Sequence, residues 1–109
     1  MNPEWRNRYE LAVEAARKAG QLALRYFDGS ITVEWKSDHS PVTVADREAE
    51  QLLRQTLLSA FPKDGFLGEE SGDTLGASGF RWIIDPIDGT RNFVRGIPMW
   101  ATLVGLEYK

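Results

Sequence analysis

The chain has 109 residues, room for one compact domain and too few for two. With 42% apolar and 27% charged residues it has the balance of a chain that buries a core rather than one that stays disordered. The formal net charge of −3, with no run of lysine or arginine, argues against nucleic acid or a membrane surface as partner, so a small anionic substrate needs a local device such as a metal ion or a helix N-terminus.

A first helix begins with Asn2 as N-cap and Pro3 at its first position. Its apolar stripe runs through Trp5, Ala12, Ala15, Ala16, Ala19, Leu22, Ala23, Tyr26 and Phe27, and Asp28-Gly29 is expected to end it. So many small residues on one face predict close packing against a neighbour. A strand over Ile31–Trp35 follows. The second helix starts near Thr43, whose side chain can pair with the backbone around Asp46 in a capping-box arrangement. Ala49, Leu52, Leu53, Thr56, Leu57 and Ala60 make its predicted buried face, and Pro62 stops it.

Further strands are expected over Gly65–Leu67, Phe80–Ile84 and Met99–Tyr108, with Gly72–Gly79 as a loose loop rich in Gly, Ser and Thr. Two helices against a sheet give an α+β fold class. The last strand is mostly apolar and reaches the final residues, so the chain is expected to stop inside core structure, as a truncated domain would.

The chemistry is concentrated in two segments. In Trp82-Ile83-Ile84-Asp85-Pro86-Ile87-Asp88-Gly89-Thr90 an apolar strand delivers Asp85 at its end. Pro86 and Gly89 are expected to bend the chain so that Asp88 turns back toward Asp85 and the carbonyl of Ile87 is left without a ladder partner. Carboxylates and a carbonyl are hard oxygen donors that suit Mg²⁺ or Mn²⁺ rather than zinc. Thr90-Arg91-Asn92-Phe93 can open a helical turn whose backbone N–H groups face a phosphate. In Leu67-Gly68-Glu69-Glu70-Ser71-Gly72 a second apolar strand ends in acids flanked by glycines, and Glu69 directed at Asp85 and Asp88 would complete a cluster that a divalent ion relieves of its self-repulsion.

Each residue has a plainer reading when taken alone. Glu69-Glu70 is a solvated acidic pair, Asp46 a helix cap, Asp85 and Asp88 turn formers, and Lys36 and His39 surface residues. Their joint occurrence in this order is what favours a site. With no cysteine and the single histidine His39, disulfides, thiolate sites and a His-rich zinc site are excluded. The N-terminus lacks the apolar region of a signal peptide, and no apolar run approaches a membrane span, so a cytoplasmic location is expected.

Gly68-Glu69-Glu70-Ser71, the stretch Trp82 to Phe93 and Pro41-Val42-Thr43-Val44-Ala45-Asp46 together resemble the inositol monophosphatase family of metal-dependent phosphatases. The resemblance implies the inositol monophosphatase/fructose-1,6-bisphosphatase-like fold, with helices on a mainly antiparallel sheet and residues 1–109 as its N-terminal metal-binding domain. It implies Mg²⁺, with Mn²⁺ as a substitute, held by Glu69, Asp85, Asp88 and the Ile87 carbonyl. Thr90 paired with Asp46 would polarise the attacking water, with Glu69 near that water. Gly89 and Thr90 would hold phosphate, Lys36 would lie near it, and Glu70 and Asn92 would support the ligands from behind. A homodimer is the assembly the family suggests.

Arg95-Gly96-Ile97-Pro98-Met99-Trp100-Ala101-Thr102 and Lys36 to Thr43 look most like the histidinol-phosphatase branch, with inositol phosphate as the alternative substrate. The family's C-terminal half supplies a further aspartate that nothing here replaces. This chain alone is therefore expected to bind at most one metal well and to turn over poorly. Two readings of other classes compete with catalysis: a non-catalytic fragment that recruits a partner through an exposed last strand, and a structural metal-binding domain with no substrate.

Overall fold

The computed structural model describes residues 2–27, 33–35 and 41–109. Its element order is α1 (Pro3–Leu24), β1 (Val33–Trp35), β2 (Pro41–Thr43), α2 (Val44–Ala60), β3 (Gly65–Gly68), β4 (Gly72–Thr74), β5 (Phe80–Asp88), α3 (Thr90–Val94) and β6 (Ala101–Tyr108). The fold is α+β, as expected. Among the described residues no helix is long and apolar enough to cross a membrane.

Asn2 caps α1 by accepting the N–H of Glu4 at 2.7 Å, and Pro3 occupies the first turn. Ala15, Ala19 and Ala23, spaced by four, are buried and present a face without bulk, which lets α2 lie close against α1. Trp5 departs from the expected stripe: it is partly exposed and meets Phe80 edge-on at 5.1 Å. The helix ends at Leu24, and the chain turns through Phe27. The expected stop at Asp28-Gly29 lies outside the described residues.

In α2 the capping box is complete: Asp46 N–H bonds back to the Thr43 hydroxyl, and Thr43 N–H donates to Asp46 Oδ2 at 2.9 Å. Ala49, Leu53 and Leu57 are fully buried. Ala60 is exposed instead, because Phe61, just past the helix end, packs onto the core in its place. Pro62 follows that cap and cannot continue the helix.

The main sheet has the order β4-β3-β5-β6. The β3/β5 pair is parallel and the other two pairs antiparallel, so the sheet is mixed with antiparallel pairing in the majority. A two-stranded antiparallel sheet joins β1 to β2, ahead of α2. Two short strands, β2 and β4, were not foreseen. The latter occupies the start of the expected loose loop, doubling back to set Phe66 opposite Thr74. Three residues at an exposed edge carry no alternation from which a strand can be read. At its other edge the sheet begins β6 at Ala101, not Met99, since Met99 N–H bonds to the carbonyl of Ile97 and Asn92 holds the Met99 carbonyl.

Along β5, Phe80, Trp82 and Ile84 point into the core while Arg81 and Ile83 face away. Trp82 belongs to one buried cluster with Leu53, Leu57, Phe66 and the alanines Ala15, Ala19 and Ala49 of the two helices. One end of this core holds a buried ion pair between residues far apart in the chain. Arg8 Nε and Nη2 each reach an oxygen of Asp64 at 2.8 Å. Asp64 also accepts the Trp82 indole N–H at 3.0 Å and the Ser78 hydroxyl at 2.7 Å. Burial pushes the Asp64 carboxyl up, but the hydrogen bonds and charge of Arg8, with those from Ser78 and Trp82, outweigh it and hold the group below its ordinary value. The Arg8 guanidinium is sandwiched by Phe80 and Phe61, at 3.8 and 4.2 Å from the ring centres.

Candidate active site

The opposite end of β5 builds the site. Instead of ending at Ile84, the strand continues to Asp88 with a register shift: Asp85 faces Leu103, yet Asp88 faces Ala101. Three steps on β5 thus match two on β6, which is a bulge. Pro86 explains it, since it has no N–H to donate to a ladder. Thr102 fastens the bulge by donating its hydroxyl to the Pro86 carbonyl at 2.8 Å. The expected sharp turn between Asp85 and Asp88 is therefore a bulge, and it achieves the same end, bringing the two carboxyls into hydrogen-bonding contact.

Gly89 then takes the left-handed conformation at φ 93°, where a Cβ would stand 3.0 Å from the Met99 carbonyl. That reversal starts α3, the short helical turn expected after Gly89. Its Phe93 is buried with Ala23, Ala45 and Ile87, and this second cluster anchors the base of the site. Asn92 faces the cleft, and its side-chain amide donates to the Met99 carbonyl at 3.0 Å, tying down the segment before β6.

A cleft of about 460 Å³ is lined by Asp46, Glu50, Glu69, Glu70, Asp85, Pro86, Ile87, Gly89, Thr90, Arg91 and Asn92. It therefore gathers most of the residues singled out from the sequence. Asp88 is exposed beside it, and Lys36 lies outside the described residues. Of the lining residues, Glu50 alone lies outside the segments singled out from the sequence. Glu50 had a legible signal: it follows Asp46 by four and precedes Leu53 by three, which places a carboxylate inside the apolar stripe of α2.

Asp85 is the electrostatic centre. Burial, the charge of Asp88, a hydrogen bond with Asp88, and the charges of Glu69 and Asp46 together push its carboxyl up to about 6. Among the described residues no group of three or more His, Cys, Asp or Glu side chains is already arranged to hold a metal ion. The chemistry of the donors nonetheless fits a hard divalent cation. Five acids line the cleft against one arginine, and every candidate donor is an oxygen.

Asp46 faces two ways. Its Oδ2 completes the cap of α2, while Oδ1 lies 3.1 Å from the Thr90 hydroxyl. The same hydroxyl is 3.0 Å from the Ile87 carbonyl. Having one hydrogen, it donates to one of these acceptors at a time, and its lone pairs remain open to a donor from the cleft.

The inositol monophosphatase family model matches residues 4–109. Over 99 residues the chain is 50% identical to a histidinol-phosphatase of Chlorobaculum parvum, covering 90% of this chain and 38% of that protein. It is 45% identical over 98 residues to an inositol-1-monophosphatase of Rhizobium meliloti, covering 87% of this chain and 37% of the other. The crystal structure of the extragenic suppressor protein suhB from Bartonella henselae superposes with a TM-score of 0.86 at 41% identity, over 92% of this chain and 40% of that one. The chain thus spans well under half the length of the relatives it matches.

Proposed function

The chain belongs to the inositol monophosphatase family, and from that premise we propose that it carries the metal- and phosphate-binding part of a Mg²⁺-dependent phosphatase for small phosphate monoesters. The observation that carries this reading is the convergence on one cleft of the β5 bulge, the Glu69 turn and the Thr90–Asp46 pair.

In this reading Glu69, Asp85, Asp88 and the Ile87 carbonyl hold Mg²⁺, with Mn²⁺ as a substitute. Such a cation neutralises phosphoryl charge and acidifies water. The chain's own residues do the rest. Backbone N–H groups at Gly89 and Thr90, at the start of α3, offer donors to phosphate oxygens because no acceptor within the helix takes them. Thr90 Oγ1 accepts from the attacking water while passing its own hydrogen toward Asp46 Oδ1, which orients the water and raises its nucleophilicity. Glu69 stands near the same water. Glu70 and Asn92 support the ligands and the segment before β6, and the family resemblance is the ground for assigning Lys36 to the phosphate.

The preferred substrate is histidinol phosphate. The greater identity to a histidinol-phosphatase than to an inositol-1-monophosphatase supports this choice over inositol 1-phosphate. The test is Mg²⁺-dependent phosphate release from histidinol phosphate and myo-inositol 1-phosphate, side by side, with the longest natural product of this reading frame, because the 109 residues alone are expected to turn over poorly. Release that requires Mg²⁺, favours histidinol phosphate and disappears in Asp85→Asn is expected. Preference for inositol phosphate would overturn the substrate, and release indifferent to Asp85→Asn would overturn the site.

A further inference from the structure

Glu50 is 1% exposed on α2, between Ala49 and Leu53, which are both fully buried. A carboxylate in such surroundings is costly unless donors surround it. Two are present. The backbone N–H of Glu70 donates to Oε1 at 3.2 Å, and the backbone N–H of Ser71 donates to Oε2. Both amides belong to the turn between β3 and β4, the turn that also carries Glu69.

Gly68 meets the same carboxyl from another side. A Cβ there would stand 2.7 Å from Glu50 Cδ and 2.9 Å from each of its oxygens. The end of β3 is therefore glycine because the carboxylate fills the space a side chain would need. Helix α2 thus grips β3 and the turn through one side chain, and the same helix carries Asp46 one turn earlier.

We propose that Glu50 is a positioning residue: its buried carboxylate fixes the backbone of Glu70 and Ser71 and so sets Glu69 in the cleft with Asp85. It acts through the turn and does not itself hold the cation. The inference rests on the reading of Glu69 and Asp85 as metal ligands. A charged acceptor is needed here because both partners are N–H groups. Glutamine would keep one oxygen and point an NH₂ group at the second donor.

The experiment compares wild type, Glu50→Gln, Gly68→Ala and Asp85→Asn in two measurements. Amide hydrogen exchange in the metal-free chain reads the grip directly. Glu50→Gln should speed exchange at Glu70 and Ser71 by about tenfold, the scale of one lost hydrogen bond to a charged acceptor, while Leu57 and Trp82 amides keep their protection. Gly68→Ala, pressing on the carboxyl from the other side, should do the same. Mn²⁺ titration followed by electron paramagnetic resonance reads the consequence. Affinity should fall roughly 10-fold or more in both variants, as when a partner that orients a ligand is lost.

Asp85→Asn should abolish Mn²⁺ binding without touching protection at Glu70 and Ser71. Unchanged exchange at those two amides overturns the proposal, as does loss of protection throughout the chain, which would make Glu50 merely structural. Faster local exchange with unchanged Mn²⁺ affinity overturns it as well. Mn²⁺ affinity that ignores Asp85→Asn would instead sink the metal-site reading, and with it the link from Glu50 to Glu69, while the exchange data still report whether the grip exists.

Discussion

Thr90 and Asp46 lie 44 residues apart in the chain and meet through a hydrogen bond of 3.1 Å from the Thr90 hydroxyl to Asp46 Oδ1. The other oxygen of Asp46 accepts the Thr43 amide, so the group that caps α2 also faces the cleft. Capping fixes the aspartate's rotamer and thereby the direction in which Oδ1 points.

Removing the Thr90 hydroxyl with Thr90→Val should lower phosphate release by roughly 10²-fold or more, the scale of a lost proton acceptor in hydrolysis. Thr90→Ser should restore most of it. Mn²⁺ affinity should stay near wild type in both, which separates a fault in water handling from a fault in metal binding. Rate and Mn²⁺ titration on the same preparations check this, and a valine variant with unimpaired release would contradict it.

Asp64→Ala should destabilise the chain by about 3–5 kcal/mol, because it leaves the Arg8 guanidinium buried without its partner. The Trp82 indole and the Ser78 hydroxyl lose their acceptor in the same change. Urea unfolding measures the loss. A cost near zero would show that water enters and solvates Arg8.

The same group sets a dependence on pH. The Asp64 carboxyl is held below its ordinary value in the folded chain, so the folded state releases the proton more readily than the unfolded one. Its contribution is then fully present above the unfolded value of about 3.9 and is lost as pH falls through the lower, folded value. Unfolding midpoints measured from pH 7 to pH 3 should drop more steeply below about pH 4 in wild type than in Asp64→Asn. Parallel curves would contradict this assignment.

Gly89→Ala should cost about 1–3 kcal/mol, since it places a side chain at φ 93° with its Cβ 3.0 Å from the Met99 carbonyl. The strain falls on the turn that opens α3, so phosphate binding should weaken along with thermal stability. Calorimetric titration with inorganic phosphate in the presence of Mn²⁺ and a thermal melt read the two effects. An alanine variant equal to wild type in both would show that the turn relaxes freely.

What could be read from the sequence was what lies close together in it. The Thr43–Asp46 capping box, the alanines of α1 and the apolar run into Asp85 each lie within a short stretch of chain, so period and punctuation were enough. The family resemblance, not spacing, suggested the role of Thr90. Arg8 and Asp64 stood hidden because they are 56 residues apart, and an arginine at the edge of a helical stripe reads as solvated. The bulge escaped because Pro86 signals a break without saying whether pairing resumes, and here it resumes at Asp88. The spacing of Glu50 from Asp46 and Leu53 marks a carboxylate in the apolar stripe of α2 but not its role, because its donors, Glu70 and Ser71, come from a turn some twenty residues on.

The most direct test of a joint metal and phosphate site is Mn²⁺ binding to this chain by electron paramagnetic resonance, with and without inorganic phosphate. If Asp85, Glu69 and the start of α3 act on one bound pair, phosphate should tighten Mn²⁺ binding by about fivefold or more, and Asp85→Asn should abolish both the binding and the enhancement. Mn²⁺ affinity that phosphate leaves unchanged, or that survives Asp85→Asn, would contradict it.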